Sequence, residues 1–198
     1  MSGYKFDIFI SYSRYGSVQK WLLNHFLRKL KECLADQIAP APKVYVDREM
    51  PRGVHWSSSL KHALRYSKIM LQLLTPHYFE SPWCMAEWRS MQEREKMLGL
   101  ASLSLPQGLI YPILYSDSEN FPLDGRMISW VDFKEFAHPD PPFQTTGMFV
   151  DFHREVTKLA TDLVQLLKQV PEWQPDWPIV EEPKPVLIPP PPIPRFGE

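Results

Sequence analysis

The chain has 198 residues, 44% of them hydrophobic and 23% charged, with a formal net charge of −1. That composition is globular, and the length suffices for one ordinary domain plus an appendage, so neither a second domain nor covalent staples are required. No stretch gathers Lys and Arg into a stripe able to neutralise a run of phosphates, which sets direct nucleic-acid binding aside, and no segment approaches the ~18 apolar residues of a membrane span.

Lys5, Asp7 and Arg14 interrupt any apolar run at the amino terminus, so no signal peptide is read there. Cys33 and Cys84 sit among apolar neighbours, where a free thiol behaves as a small hydrophobe. The expectation is a protein of the reducing cytoplasm, without a membrane partner.

Lys5–Ser11 (KFDIFIS) reads as a buried strand, bounded by polar Ser13, Arg14 and Gly16. From Ser17 to about Ala35, Val18, Trp21, Leu22, His25, Phe26, Leu30, Cys33 and Leu34 recur at helical spacing. Lys43–Val46 is a second short strand that ends in a polar loop, Asp47–Gly53, and Trp56–Tyr66 carries Leu60 and Leu64 at helical spacing. Lys68–Leu74 is the third strand. After a loop through Pro76 comes a helix to about Leu98, with Ser81 as its cap and Pro82 in its first turn. Leu109–Tyr115 and Ile128–Phe133 read as fourth and fifth strands, with Pro112 arguing for a position near an edge or bulge. A last helix, about Val150–Val170, aligns Val156, Leu159, Ala160, Leu163, Val164, Leu167 and Val170.

Strands alternating with helices imply right-handed crossovers and a doubly wound, five-stranded parallel sheet with helices on both faces, in the flavodoxin-like order 2-1-3-4-5. Residues 1–170 form this domain. Residues 171–198 hold ten prolines, including the run Pro189–Pro192, and proline removes amide donors and fixes φ. An extended tail or linker is expected, either a solvated terminus or a polyproline docking motif, and its removal is expected to leave the fold intact. Trp173, Trp177 and Phe196 weigh against a purely solvated segment.

Several chemistries are set aside by absent motifs. The eight glycines form neither a GxxxxGK[ST] loop nor a GxGxxG turn, the six histidines show no zinc-ligand spacing, and no GxSxG elbow occurs. No metal and no cofactor is expected. In a doubly wound sheet, ligands bind beyond the carboxyl ends of the strands at the switch point between the first and third. Polar residues placed there are Ser11, Tyr12, Ser13 and Arg14 after the first strand, and Asp47, Arg48, Glu49, Pro51, Arg52 and Gly53 after the second. Glu87 follows on the helix after the third. Glu87 stands four residues beyond Trp83, so a carboxylate and a large aromatic share one helix face. Taken alone, such a glutamate is ordinarily a solvated charge, Trp83 and Cys84 are core, and Asp47, Glu49 and Arg14 are loop polarity.

Phe6-Asp7-Ile8-Phe9-Ile10-Ser11-Tyr12 resembles the first sequence box of TIR (Toll/interleukin-1 receptor) domains. Tyr45-x-Asp47 with Met50-Pro51-Arg52-Gly53 and Trp56 resembles their second strand and BB loop. Ser67-Lys68-Ile69 through Leu74-Thr75-Pro76-x-Tyr78-x-x-Ser81-x-Trp83-Cys84-x-x-Glu87 is similar to their third strand and following helix. The resemblance is dense over residues 4 to about 98 and rests on strand–helix alternation from there to 170.

That resemblance implies one of two functional classes: an enzyme that cleaves NAD+ at the nicotinamide–ribose bond, by hydrolysis or cyclisation, or a non-enzymatic adaptor that scaffolds homotypic TIR–TIR complexes. For the enzyme it implies Glu87 as catalytic carboxylate. Tyr12, Ser13 and Arg14 would lie near nicotinamide or phosphates, Trp83 would form an aromatic wall, and Asp47 and Glu49 would lie near the ribose or a neighbouring subunit. Pro51, Arg52 and Gly53 would form a loop bridging subunits. The Trp83-x-x-x-Glu87 arrangement fits the bacterial enzymes, implying antiphage defence activated by homo-oligomeric assembly, with a sensor protein or domain as trigger and NAD+ as substrate rather than cofactor. A third class, nucleotide or flavin binding, rests on fold analogy alone. Glu93 and Glu95, on the same helix as Glu87, are expected to be replaceable with little effect.

Overall fold

The computed structural model describes residues 3–47, 56–103, 106–117, 121–123 and 129–181. Five strands, β1 (Phe6–Tyr12), β2 (Val44–Val46), β3 (Ser67–Leu74), β4 (Ile110–Leu114) and β5 (Val131–Asp132), form one parallel sheet in the order β2-β1-β3-β4-β5. This is the flavodoxin-like doubly wound order. Burial runs through consecutive residues of β3, of both parities, because helices cover the sheet on two sides.

On one side, α1 (Val18–Trp21) passes through a π-helical turn, Leu22–Phe26, into α2 (Leu27–Ala35), and together they pack on α6 (Met148–Gln169). Trp21 stacks on Phe26 and meets the edges of Phe133 and Phe152. Its indole N–H donates to Phe136 O at 2.8 Å. On the other side lie α3 (Trp56–Arg65) and α5 (Pro82–Leu98), joined where the Arg94 guanidinium donates to the carbonyls of Ser67 and Leu64 at 2.8 and 3.1 Å.

Caps set the helix boundaries near the site. The Thr75 hydroxyl accepts from Tyr78 N–H and starts α4 (Pro76–Glu80), a short helix where a loop is expected from sequence. Five residues are too few to show a helical period. The Ser81 hydroxyl accepts from Cys84 N–H, Pro82 occupies the first turn of α5, and Gly99, at φ +67°, ends it in the left-handed conformation. Pro112 lies in β4, which is not the edge strand. Its missing donor is tolerated because β5 pairs only with Ile113 and Leu114, so no ladder partner stands beside Pro112 on that flank.

The expectation of a solvated segment from residue 171 fails for residues 171–181. Tyr4 donates its hydroxyl to Pro171 O, Trp173 stacks on Tyr66 at 5.1 Å and donates to Arg65 O, and Val180 N–H donates to Ser90 Oγ at 2.8 Å. Trp177 is 1% exposed. Prolines exclude helix and sheet, but they do not prevent an extended strand from laying aromatic side chains across the α3–α5 face. The remaining tail, 182–198, lies outside the described residues.

Candidate functional site

β1 is a central strand, and its buried run Ile8-Phe9-Ile10-Ser11 delivers Tyr12, Ser13 and Arg14 at its carboxyl end. Gly16, at φ +75°, lets the chain turn there into α1. The ends of β1 and β2 are stitched together. The Tyr12 hydroxyl donates to Asp47 O at 2.7 Å and receives a bond from Gln19 Nε2, and Arg14 Nη2 meets Asp47 Oδ2 at 2.7 Å.

Glu87 reaches the same place from the first turns of α5. Its side chain points inward, 8% exposed, and Ser11 Oγ donates to Glu87 Oε2 at 2.5 Å. Ser11 Oγ also lies 2.8 Å from the Tyr78 hydroxyl, which in turn reaches Cys84 O at 3.3 Å. Strand β1 and helices α4 and α5 thus converge on one carboxyl.

A cavity of about 180 Å³ opens over these groups, lined by Tyr12, Ser13, Arg14, Asp47, Trp83 and Glu87 among others. Six of the residues expected from sequence therefore line one pocket at the switch point of the sheet. Glu49, Pro51, Arg52 and Gly53 lie outside the described residues, as does Arg48. Trp83 and Glu87 share one helix face, as the four-residue spacing requires.

The electrostatics of the pocket are set by burial. Desolvation pushes the Glu87 carboxyl up to about 8, Asp47 adds to the rise, and the Ser11 hydrogen bond and Arg14 oppose it. Glu87 is therefore mostly neutral in the free protein near pH 7. Burial, reinforced by Glu87, pushes the Cys84 thiol up to about 12, which leaves no thiolate for nucleophilic chemistry. Tyr78 is raised well above its usual range by its burial, so its hydroxyl keeps its proton.

The sequence placed Ser11 among the polar residues at the end of the first strand but gave it no contact with Glu87, and it assigned no site role to Tyr78 or Tyr15. Ser11 and Tyr78 contact Glu87 only through the tertiary register, and Tyr15, 71% exposed at the cavity mouth, reads as loop. Glu95 is a correction. Far from being a replaceable surface charge, it is buried, and its Oε1 accepts from the N–H groups of Leu109 and Ile110 at 2.5 and 3.1 Å. Glu93, by contrast, forms an exposed i,i+3 pair with Lys96.

A family model described as TIR domain matches residues 8–145. Disease resistance protein TAO1 of Arabidopsis thaliana is 35% identical over 92 residues, which amount to 46% of this chain and 7% of that protein. The chain thus spans only a small part of that relative's length. Among solved structures, the TIR domain of the Toll-related receptor TRR-2 from Hydra magnipapillata aligns with a TM-score of 0.44 and 20% identity, over 77% of this chain and 98% of that one. The TIR domains of the activated Roq1 resistosome, which directly recognises the pathogen effector XopQ, align with a TM-score of 0.41 and 17% identity, over 83% of this chain and 96% of that one. With its family model covering most of the sheet and the whole of the described site, the chain belongs to the TIR domain family.

Proposed function

We propose that this TIR domain cleaves NAD+ at the nicotinamide–ribose bond, releasing nicotinamide and an ADP-ribose product, with Glu87 as the catalytic carboxylate. The observation that carries the reading is a buried carboxyl at the floor of a cavity beyond the strand ends, walled by Trp83. The chemistry needs one acid only. Nicotinamide departs as a neutral molecule from a cationic ring, so nothing has to protonate it, unlike the leaving oxygen for which ordinary glycosidases carry a second carboxyl. The ionised Glu87 stabilises the oxocarbenium charge that develops on the ribose and orients its hydroxyls.

Burial and substrate work together in this scheme. The free site holds Glu87 mostly neutral, and the positive pyridinium of bound NAD+ favours the ionised form, so the counter-charge appears when substrate arrives. Arg14, half exposed and anchored by Asp47, stands at the rim where a phosphate would pass, with Tyr12 and Ser13 beside it.

A cavity of about 180 Å³ is smaller than the roughly 300–1,000 Å³ of ordinary small-molecule sites. It takes the reacting end of the dinucleotide and leaves the rest to further walls. We assign those walls to Glu49 and the Pro51-Arg52-Gly53 loop and to a second copy of the chain, so that assembly completes the site and a sensor protein or domain triggers it. The biological setting we assign is defence of the antiphage kind in a bacterial cytoplasm; the disease-resistance name of one relative, a plant protein, bears on defence alone.

Incubating the purified protein with NAD+ across a concentration series and measuring free nicotinamide tests the proposal. Release by the wild type and its loss in Glu87→Gln support it. No release at any protein concentration leaves the homotypic scaffold in its place.

A further inference from the structure

Glu87 is held by hydroxyls for which the cleavage scheme above has no use. Ser11 Oγ lies 2.5 Å from Glu87 Oε2 and 2.8 Å from the Tyr78 hydroxyl, and the Tyr78 hydroxyl also reaches Cys84 O at 3.3 Å. Ser11 and Tyr78 are both buried. Each hydroxyl has one proton to give and lone pairs to receive.

The direction of the chain therefore depends on Glu87. With Glu87 ionised, Ser11 donates to the carboxylate and accepts from Tyr78. With Glu87 neutral, its own O–H donates to Ser11, Ser11 donates to the Tyr78 oxygen, and Tyr78 donates to Cys84 O. Two hydroxyl rotations convert one arrangement into the other, with no heavy atom displaced.

We propose that Ser11 and Tyr78 form a reversible hydroxyl relay that satisfies Glu87 in both of its protonation states, which makes them positioning residues for the carboxylate. The relay's purpose, ionising a buried acid when a cationic substrate binds, rests on the NAD+-cleaving reading. Its geometry does not. A buried carboxyl served by a fixed donor alone has no acceptor for its own O–H when neutral, and one served by a fixed acceptor alone is left unsatisfied when charged. A serine backed by a phenol that has a second acceptor of its own avoids both.

Other groups that face Glu87 from the elements around it are Tyr12 and Arg14 at the end of β1, Tyr45 and Asp47 on and after β2, and Cys84 on its own helix. Arg14 favours the ionised carboxyl and Asp47 disfavours it. The raised Tyr45, Tyr78 and Cys84 stay neutral through the range in which Glu87 titrates. Ser11 supplies the direct donation that opposes desolvation.

The test is a ¹³C NMR titration of the whole chain carrying side-chain carboxyl-labelled glutamate, with the Glu87 signal assigned by its absence in Glu87→Gln. The wild-type midpoint is expected near 8. Ser11→Ala should move it upward by about half to one pH unit, because the variant loses a stronger bond to the carboxylate and a weaker one to the neutral acid. Tyr78→Phe, which keeps the buried ring, should move it the same way by less. The pH profile of nicotinamide release should move with the titration midpoint. A Glu87 midpoint unchanged in Tyr78→Phe, or in both variants, overturns the relay, even where cleavage is observed. A midpoint that moves in both variants of a protein releasing no nicotinamide upholds the relay and removes the cleavage reading instead.

Discussion

The guanidinium of Arg94 lies 5.0 Å from the centre of the Trp177 ring, and both side chains are closed off from solvent. Residue 177 belongs to a segment that the sequence marks as a tail, yet its indole covers a buried cation. Burial lowers the Arg94 pKa to about 10, still above neutrality, so the charge persists and needs the ring as well as the Ser67 and Leu64 carbonyls.

Cutting the chain after Val170 is therefore expected to destabilise the domain, against the expectation from sequence. Trp177→Ala alone should cost about 3–5 kcal/mol, the usual range for emptying a buried aromatic site. That corresponds to a fall of roughly 6–20 °C in Tm for a domain of this size. Thermal unfolding of the two variants measures it. An unchanged Tm in both would mean that residues 171–181 do not pack in solution.

The difference between sequence and structure here is physical. Continuous apolar runs marked the five strands, and a helical repeat of apolar residues marked the long helices. Trp173, Trp177 and Ile179 repeat at no period, so an extended strap left no such signal. The π-helical turn at Leu22–Phe26 was equally hidden, because Val18, Leu22 and Phe26 fall on one side of an ordinary helix too. At the site, the Trp83–Glu87 spacing showed a shared face but not its direction. That Glu87 points inward follows from its bond to Ser11, 76 residues away, which no local pattern reveals.

Glu95 and Glu93 provide a sharp contrast two residues apart. Glu95 Oε1 bridges the amides that begin β4, and it fills the space beside Gly108, where a Cβ would come within 2.5 Å of it. Glu95→Ala strands two amides and should lower stability by about 2–4 kcal/mol. Glu93→Ala loses only an exposed pair with Lys96 and should stay within about 0.5 kcal/mol of wild type. Denaturant unfolding of both variants checks this. Equal stabilities would contradict the structural role of Glu95.

Assembly is tested at Gly53, which lies outside the described residues and enters through the proposed bridging loop. Gly53→Arg should leave Tm unchanged while most nicotinamide release is lost. The wild-type rate per protomer should rise with protein concentration. A variant as fast as wild type at every dilution would show that each protomer works alone.

The raised pKa of Glu87 makes a prediction about stability that does not depend on any substrate. Its folded value is about 8 and its unfolded value near 4.3, so the folded state binds the extra proton between those pH values. Stability from this group is fully present below about pH 4.3 and declines by about 1.4 kcal/mol per pH unit until the folded pKa is passed. Glu87→Gln keeps the size and the bond to Ser11 but has no charge to bury. The Gln variant should therefore match wild type at about pH 4 and melt several degrees higher at pH 8. A constant difference across that range would mean that the carboxyl titrates normally.

The same residue links stability to rate. The group that makes the wild type less stable at pH 8 is the one whose ionised form the proposed reaction uses. In the free enzyme that form dominates only above about pH 8, so kcat/KM for NAD+ should climb with pH and level off near there. Once NAD+ is bound, the pyridinium charge favours the carboxylate, and the corresponding rise in kcat should lie at lower pH. Glu87→Gln should lose on the order of 100-fold or more in kcat and lose the rising limb, while gaining thermal stability. Rates of nicotinamide release from pH 5 to 9, at limiting and saturating NAD+, separate these effects. A kcat/KM profile that levels off near pH 5 in the wild type, or a Gln variant that is both active and equally pH-dependent, would remove Glu87 from the reaction.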